Sequence, residues 1–585
     1  MRKFDFKLML TAAAIAIAVP AQADAGGDLK TLVDEVWASI LKESPVFASS
    51  LGVDDYANEV GDYTLAGQDR QAKTAAGFLA RLNKINAAEL SPAERVEHGI
   101  LKRSLSESVE SNGYGQRVVN FTNRSGWHQN FAGMSNNLPF KKKADFESYN
   151  RRLKQYGKVN DDAIAVADKA IAGGYTLPCD AMVGYEKSIS GLITEDAKAS
   201  RFYAPYKRAI PLGVDKEEFE GLALQAAATI SALINPALKK HEKWYLANYK
   251  PNCAKAPGVS EQPGGDKYYD FRIRQMTTTE KSADEIHNIG LSEVARIRAE
   301  MVEVAKEAGY ESREAFIEHL RTNPKYYAKT PEELMVKVAR VTKIIDGKMP
   351  SLFGRLPRLP YGIKEIPKET AEGTTTAYYN PGSPEIGIAG YYYVNTSKLD
   401  QRPFWEIPAL SVHEGVPGHH HQIALQQELP LSDFRKNAAF FTAFVEGWGL
   451  YSERLGIEMG LYDTPAKNMG RLSYEMWRAC RLVVDTGIHS KGWSKQRAVD
   501  FMADNTALTE ANIEAEVNRY ISWPGQALAY KMGELKIREL RAFATKELGD
   551  KFSLPAFHDT VIGQGAVPLD VLEAQVKDWV AVQKK

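Results

Sequence analysis

Residues Ser411 to Gln422 read S-V-H-E-G-V-P-G-H-H-H-Q, and they restrict this chain more than any other stretch. Four of its 11 histidines fall between His413 and His421, and Glu414 directly follows the first of them. Two imidazoles on one helix face with a carboxylate beside the first form the pattern of zinc hydrolases. The imidazoles hold the metal and the carboxylate acts on the attacking water. On a regular helix the second imidazole must come four residues after the first. That position is Pro417, which ligates nothing. His419, six residues on, would point roughly 240° round the helix, and His420, seven on, would lie about 10 Å along it. A regular helix therefore has no metal site here. If Pro417 and Gly418 instead break the helix and loop out two residues, His419 arrives where the second ligand belongs. The reading adopted is this loop-out, with His419 in preference to His420.

A third ligand comes from further along. Phe404 to Leu429 reads as helix through the motif, and Phe440 to Leu455 as a second, apolar helix carrying Glu446 and Glu453. A carboxylate flanked by Val445, Gly447 and Trp448 is costly to bury unless it is paired or bound to metal. Glu446 is thus the natural third ligand. The pair His241-Glu242 has no histidine closely following and reads as a solvated helix face. Later, Asp485 and His489 stand four apart on a helical run that also holds Arg478 and Arg481, close enough for the carboxylate to orient the imidazole. Gln526 and Tyr530 are spaced alike.

The rest of the chain predicts a mainly helical protein. Leu29 to Lys42 is amphipathic. Ser91-Pro-Ala-Glu94, Ser282-Ala-Asp-Glu285 and Thr330-Pro-Glu-Glu333 carry helix-start signatures. After the second, Ile289, Val294, Ile297, Met301 and Val304 recur at helical spacing. The clearest strands are expected at Gly373 to Tyr379 and Gly387 to Asn395, two Thr- and Tyr-rich runs just before the histidines, as a hairpin or two strands of a small sheet beside the site. Their edge either pairs with an extended peptide or the strands simply floor the core.

Residues 1–23 read as a secretory signal peptide. Arg2, Lys3 and Lys7 precede an apolar run from Leu8 to Val19, and Ala21-Gln22-Ala23 supplies the cleavage site. The expectation is cleavage after Ala23, a periplasmic or secreted protein, and no membrane anchor in the mature chain. No cysteine lies near the cut to carry a lipid. Lys+Arg and Asp+Glu balance at 74 each, which argues against nucleic acid as a partner. In an oxidising compartment three cysteines imply one disulfide and one thiol. Cys179 and Cys253, both beside prolines, are the expected pair, with Cys480 left inside an apolar helix. Pro251 to Asp266 is the strongest Pro/Gly break, and suggests an N-terminal helical part at 24–250 and a metal-bearing part at 251–585, or one continuous domain.

Four segments in this order, H-E-G-V-P-G-H-H, E-G-W-G-L-Y-S-E, R-L-V-V-D-T-G-I-H and P-G-Q-A-L-A-Y-K-x-G, resemble the bacterial family known as domain of unknown function 885. That family is grouped with gluzincin-type zinc peptidases such as neurolysin. The resemblance implies a largely α-helical protein with a deep central cleft. It also implies Zn²⁺ on His413, His419 and Glu446, and Glu414 as general base. Gluzincins often carry an acid four residues after the ligand glutamate; here that position is Leu450, and Glu453 offers a substitute one turn on. The expected activity is hydrolysis of short unstructured peptides, with Tyr530 or His489 stabilising the oxyanion. Two other readings stay open: a non-catalytic metal- or peptide-binding protein, and a zinc-dependent amidase or esterase.

Overall fold

Helix α1 (Pro92–Asn112) starts where its capping signature stands. Ser91 Oγ accepts from Glu94 N at 3.3 Å, and the Glu94 carboxylate accepts from Ser91 N at 2.8 Å. Helix α2 (Ala283–Glu307) opens with the same reciprocal pair, Ser282 and Glu285. At α3 (Pro331–Asp346) only half the box forms: Thr330 caps Glu333 N, while the Glu333 carboxylate reaches back to Lys329 N. Each satisfies backbone donors that a helix start leaves without partners. Along α2 the predicted stripe is the packed face, with Val294, Ile297, Met301 and Val304 buried.

The computed structural model describes residues 24–371, 374–385 and 387–585, which are mainly helical with a small sheet. The expected signal peptide, 1–23, lies outside the described residues. Three large cores hold the chain together. One joins N-terminal residues such as Leu29, Ile100 and Leu105 to C-terminal ones such as Trp448, Ile537 and Val576. A second gathers Ile297, Trp405 and Trp477, and a third, rich in aromatics, lies within residues 60–249. His241 belongs to this third core: it is fully buried, stacked 4.2 Å from the Trp127 ring, and not on a solvated face as the sequence suggested. Burial disfavours its charged form and brings its pKa down to about 2.

Strand β1 (Tyr361–Glu365) runs parallel to β3 (Gly390–Val394), and β2 (Ala377–Asn380) pairs antiparallel on the other side of β3. Tyr379 stands opposite Tyr392 in that register. The two expected strands form, each shorter than predicted, and Gly373 lies outside the described residues. Strand β1 carries no Thr- or Tyr-rich run and was not foreseen. β2 is an edge strand.

Cys179 and Cys253 are bonded, with Cα atoms 5.1 Å apart and a sequence separation of 74, and Cys480 is a buried thiol. The bridge pins the Pro/Gly-rich loop that follows residue 250. Cross-linking a loop of this length restricts the unfolded chain and contributes about 4 kcal/mol. The Cys179→Ser/Cys253→Ser double variant is expected to lose roughly that much in denaturant unfolding, and a non-reduced digest of the wild type should yield the linked peptides. An unchanged unfolding midpoint in the variant would count against a stabilising bridge.

Candidate metal centre

The histidine stretch is not one helix. Helix α4 (Ile407–Glu414) ends at Gly415, and α5 (His419–Glu428) begins after a four-residue break. The hydrogen bonds measure the insertion. In a helix, the donor to Val412 O would be the residue four later; here Gly418 N makes that bond at 2.9 Å, six residues later. Two residues are looped out, and His419 takes the place that four-residue spacing would otherwise give to position 417. Gly418 is required at the closure, because a Cβ there would sit 1.9 Å from His413 O. Trp448 pins the loop from the facing helix, its indole N–H donating to Pro417 O at 2.8 Å.

That facing helix is α6 (Thr442–Leu455), and it supplies Glu446. Glu446 Oε2 lies 3.7 Å from His413 Nε2 and 3.4 Å from His419 Nε2. Ligating atoms of these three residues all fall within 4.8 Å of one another. The imidazole of His413 lies against Gly449 of α6, where a Cβ would come 2.8 Å from its Cε1. The glycine thus admits the ring that any side chain would displace.

His413 Nδ1 donates to Glu453 Oε1 at 2.8 Å, which fixes the tautomer and leaves Nε2 facing Glu446. Glu453 is 2% exposed and is itself held by Arg478 Nη2 at 3.2 Å. Glu453, three residues beyond Leu450 on the same helix, is thus the acid that orients the His413 ring. Burial opposes a charge on His413, but the Glu446 and Glu453 carboxylates outweigh it and lift its pKa to about 9. Glu446 is likewise buried, and the two imidazoles hold it well below the usual carboxylate range. The cluster favours a positive charge between its members.

His420 turns away. Its Nδ1 meets Tyr379 Oη and its Nε2 meets Leu359 O, both at 2.9 Å. His421 bonds Arg355 O at 3.0 Å. Glu414 ends α4 beside His413, 8% exposed, and lines a cavity of about 510 Å³ together with His413, His419, Glu446 and Tyr530. The Tyr530 ring stacks 6.5 Å from that of His413. Burial pushes its phenol pKa up, and the charge of Glu446 adds to this. The edge strand β2 walls the same cavity through Ala377, Tyr378 and Tyr379.

His489 is a correction. It lies on α7 (Pro465–Lys491), fully buried and outside the cavity lining. Its Nδ1 accepts from Val259 N at 3.1 Å, and its Nε2 donates to Tyr520 O at 3.0 Å. Both nitrogens are committed to backbone, so it cannot reach an oxyanion. Asp485 does not orient it either. That carboxylate takes Tyr269 Oη at 2.6 Å and Gly525 N at 3.1 Å, and burial pushes its pKa up to about 7. Spacing of four on one helix left both side chains free to find partners elsewhere.

The sequence reading missed part of the cavity wall. Thr122 to Ser125 enter it from nearly three hundred residues upstream, and Glu516 and Arg519 from α8 (Glu510–Ser522). Nothing local marks the first of these. Nor does anything local mark the second.

The model of a family described as "Bacterial protein of unknown function (DUF885)" matches residues 45–576. Among solved structures, the chain is similar to a provisionally assigned lipoprotein from Colwellia psychrerythraea: 28% identity, TM-score 0.87, covering 95% of this chain and 99% of that one. It is also similar in fold to a provisionally assigned lipoprotein of unknown function from Shewanella oneidensis: 17% identity, TM-score 0.71, covering 94% and 99%. No match was found among curated proteins.

Proposed function

The chain belongs to the DUF885 family of bacterial proteins, and we propose that it is an exported zinc-dependent hydrolase acting on peptide bonds of short, unstructured peptides. One observation carries this reading: two imidazole nitrogens and a carboxylate oxygen converge beside Glu414 on the wall of a cavity. Two His and one Glu form a catalytic zinc donor set, which leaves a coordination position for substrate or water. The buried atoms agree, since Glu446 Oε2 makes no hydrogen bond among the described residues and its neighbours, the two imidazole Nε2 atoms, stand back at 3.4 and 3.7 Å. A carboxylate oxygen in that state is costly unless a cation satisfies it. When bound, zinc would supply Lewis acidity, polarising the scissile carbonyl and acidifying water.

The protein's own groups do the rest. Glu414 takes the proton of the attacking water and passes it to the leaving amine. Tyr530 reaches into the cavity from the His413 side and donates to the developing oxyanion. The outer edge of β2, which no other strand pairs among the described residues, pairs with an extended backbone and lays the peptide across the ligands. The gluzincin likeness is part of this proposal, with the second ligand shifted by the loop at Val416 and Pro417. Export is supported by the disulfide, which belongs to oxidising compartments, and by the description of the Colwellia protein as a lipoprotein.

The test is a mixed peptide library incubated with the zinc-loaded and the chelated protein and read by mass spectrometry. Cleavage in the loaded sample alone is expected. A fully loaded protein that cleaves nothing would favour a binding protein instead. An ester or simple amide turned over faster than any peptide would move the assignment to an esterase or amidase.

A further inference from the structure

One wall of the cavity carries more positive charge than it can pair. Arg481 Nη2 lies 3.0 Å from Glu516 Oε2, and Arg519 Nη2 lies 2.8 Å from the same oxygen. Arg124 Nη1 approaches the other oxygen at 3.8 Å. Three guanidinium groups thus share one carboxylate. Arg478, next along the wall, is already committed to Glu453. Arg481 is 3% exposed, its Nε donates to Tyr520 Oη at 2.9 Å, and its buried Nη1 has no partner among the described residues. Burying a guanidinium N–H without an acceptor is costly, and a planar guanidinium is built to receive a carboxylate. All three arginines line the cavity that holds Glu414 and the metal-ligand cluster.

The distance to the cluster is short. The Arg481 guanidinium carbon stands 4.3 Å from the centre of the Tyr530 ring, and that ring stacks 6.5 Å from the ring of His413. An extended peptide advances about 3.3–3.6 Å per residue, so an anion on Arg481 lies within about three residues of His413.

We propose that Arg124, Arg481 and Arg519 form a subsite for the free C-terminal carboxylate of the substrate, so that the enzyme releases a C-terminal fragment of one to three residues. This rests on the peptidase reading above. The reaction is plain hydrolysis. Water adds to the scissile carbonyl carbon, the C–N bond breaks, and the proton taken up by Glu414 leaves on the new amine.

The probes are an acetylated alanine pentapeptide as free acid and as C-terminal amide, which differ at the terminus alone. Binding is measured by calorimetry on the full chain without zinc, so that no metal can capture the carboxylate. Cleavage is measured on the zinc-loaded protein. The free acid is expected to bind at least about tenfold tighter than the amide, the scale of one charge-assisted hydrogen bond. It should also be cleaved with a correspondingly higher kcat/KM, releasing Ala, Ala-Ala or Ala-Ala-Ala. The binding preference should fall below about threefold in Arg481→Gln. It should fall likewise in Arg124→Gln, whose exposed side chain can be changed without disturbing the core should the Arg481 variant not fold. Equal binding and equal cleavage of the two probes would overturn the subsite while leaving the peptidase standing. Tight, carboxylate-dependent binding without any cleavage would uphold the anion subsite and remove the hydrolase.

Discussion

Glu414→Gln should slow peptide cleavage by about 10²–10⁴, the usual share of general acid–base catalysis, while the protein folds, keeps its zinc and still binds peptide. The substitution preserves size and hydrogen bonding and removes only the ability to accept a proton. Glu414 ends α4 beside a ligand, yet it lies outside the converging set of His413, His419 and Glu446. That separation makes the variant informative. Metal content by elemental analysis and steady-state rates on one defined peptide are the two measurements. Zinc lost together with activity would make Glu414 a structural part of the site. Undiminished turnover with zinc present would take it out of the mechanism.

His419→Ala should abolish stoichiometric zinc binding, whereas His420→Ala should retain it. The chemistry of neighbouring histidines is identical, so only their directions separate them. His419 points its Nε2 at Glu446, 3.4 Å away, while both nitrogens of His420 are engaged by Tyr379 and Leu359. Losing one of three protein ligands leaves a pair too weak to hold the ion through dialysis. Losing His420 instead removes two hydrogen bonds, and a stability cost of about 1–3 kcal/mol is expected with metal intact. Elemental analysis beside thermal melts separates the outcomes. Full metal in His419→Ala with none in His420→Ala would reverse the register of the loop.

Much of the scaffold was legible because it is written in local rules. Ser91, Ser282 and Thr330 stop the chain from extending the helix backwards, and they do so with backbone and side-chain atoms within four residues. The buried stripe of α2 follows from 3.6-residue periodicity alone. His489 shows where such rules end. Its spacing from Asp485 satisfied a helix-face argument, but burial handed its nitrogens to Val259 and Tyr520, and the carboxylate went to Tyr269. His241 failed for the same reason: nothing in its immediate neighbours foretold the Trp127 ring that covers it.

The sequence by itself determined that a regular helix could not bring two of these histidines together, because Pro417 occupies the only position that would work. It also showed a proline–glycine pair able to break that helix, and the structure shows why the second of them is glycine. Closing the loop brings residue 418 against the backbone of Val412 and His413, where a side chain has no room. Which residues then meet was decided only by the tertiary structure. α6 crosses α4 at Gly449, which sets Glu446 against both imidazoles and Glu453 behind the first. α8 and the segment around Arg124 close the far wall from opposite ends of the chain. Such contacts join residues tens to hundreds apart, and their energy comes from burying whole helix faces. No short stretch of sequence carries that information, since each face is defined only by the element that covers it.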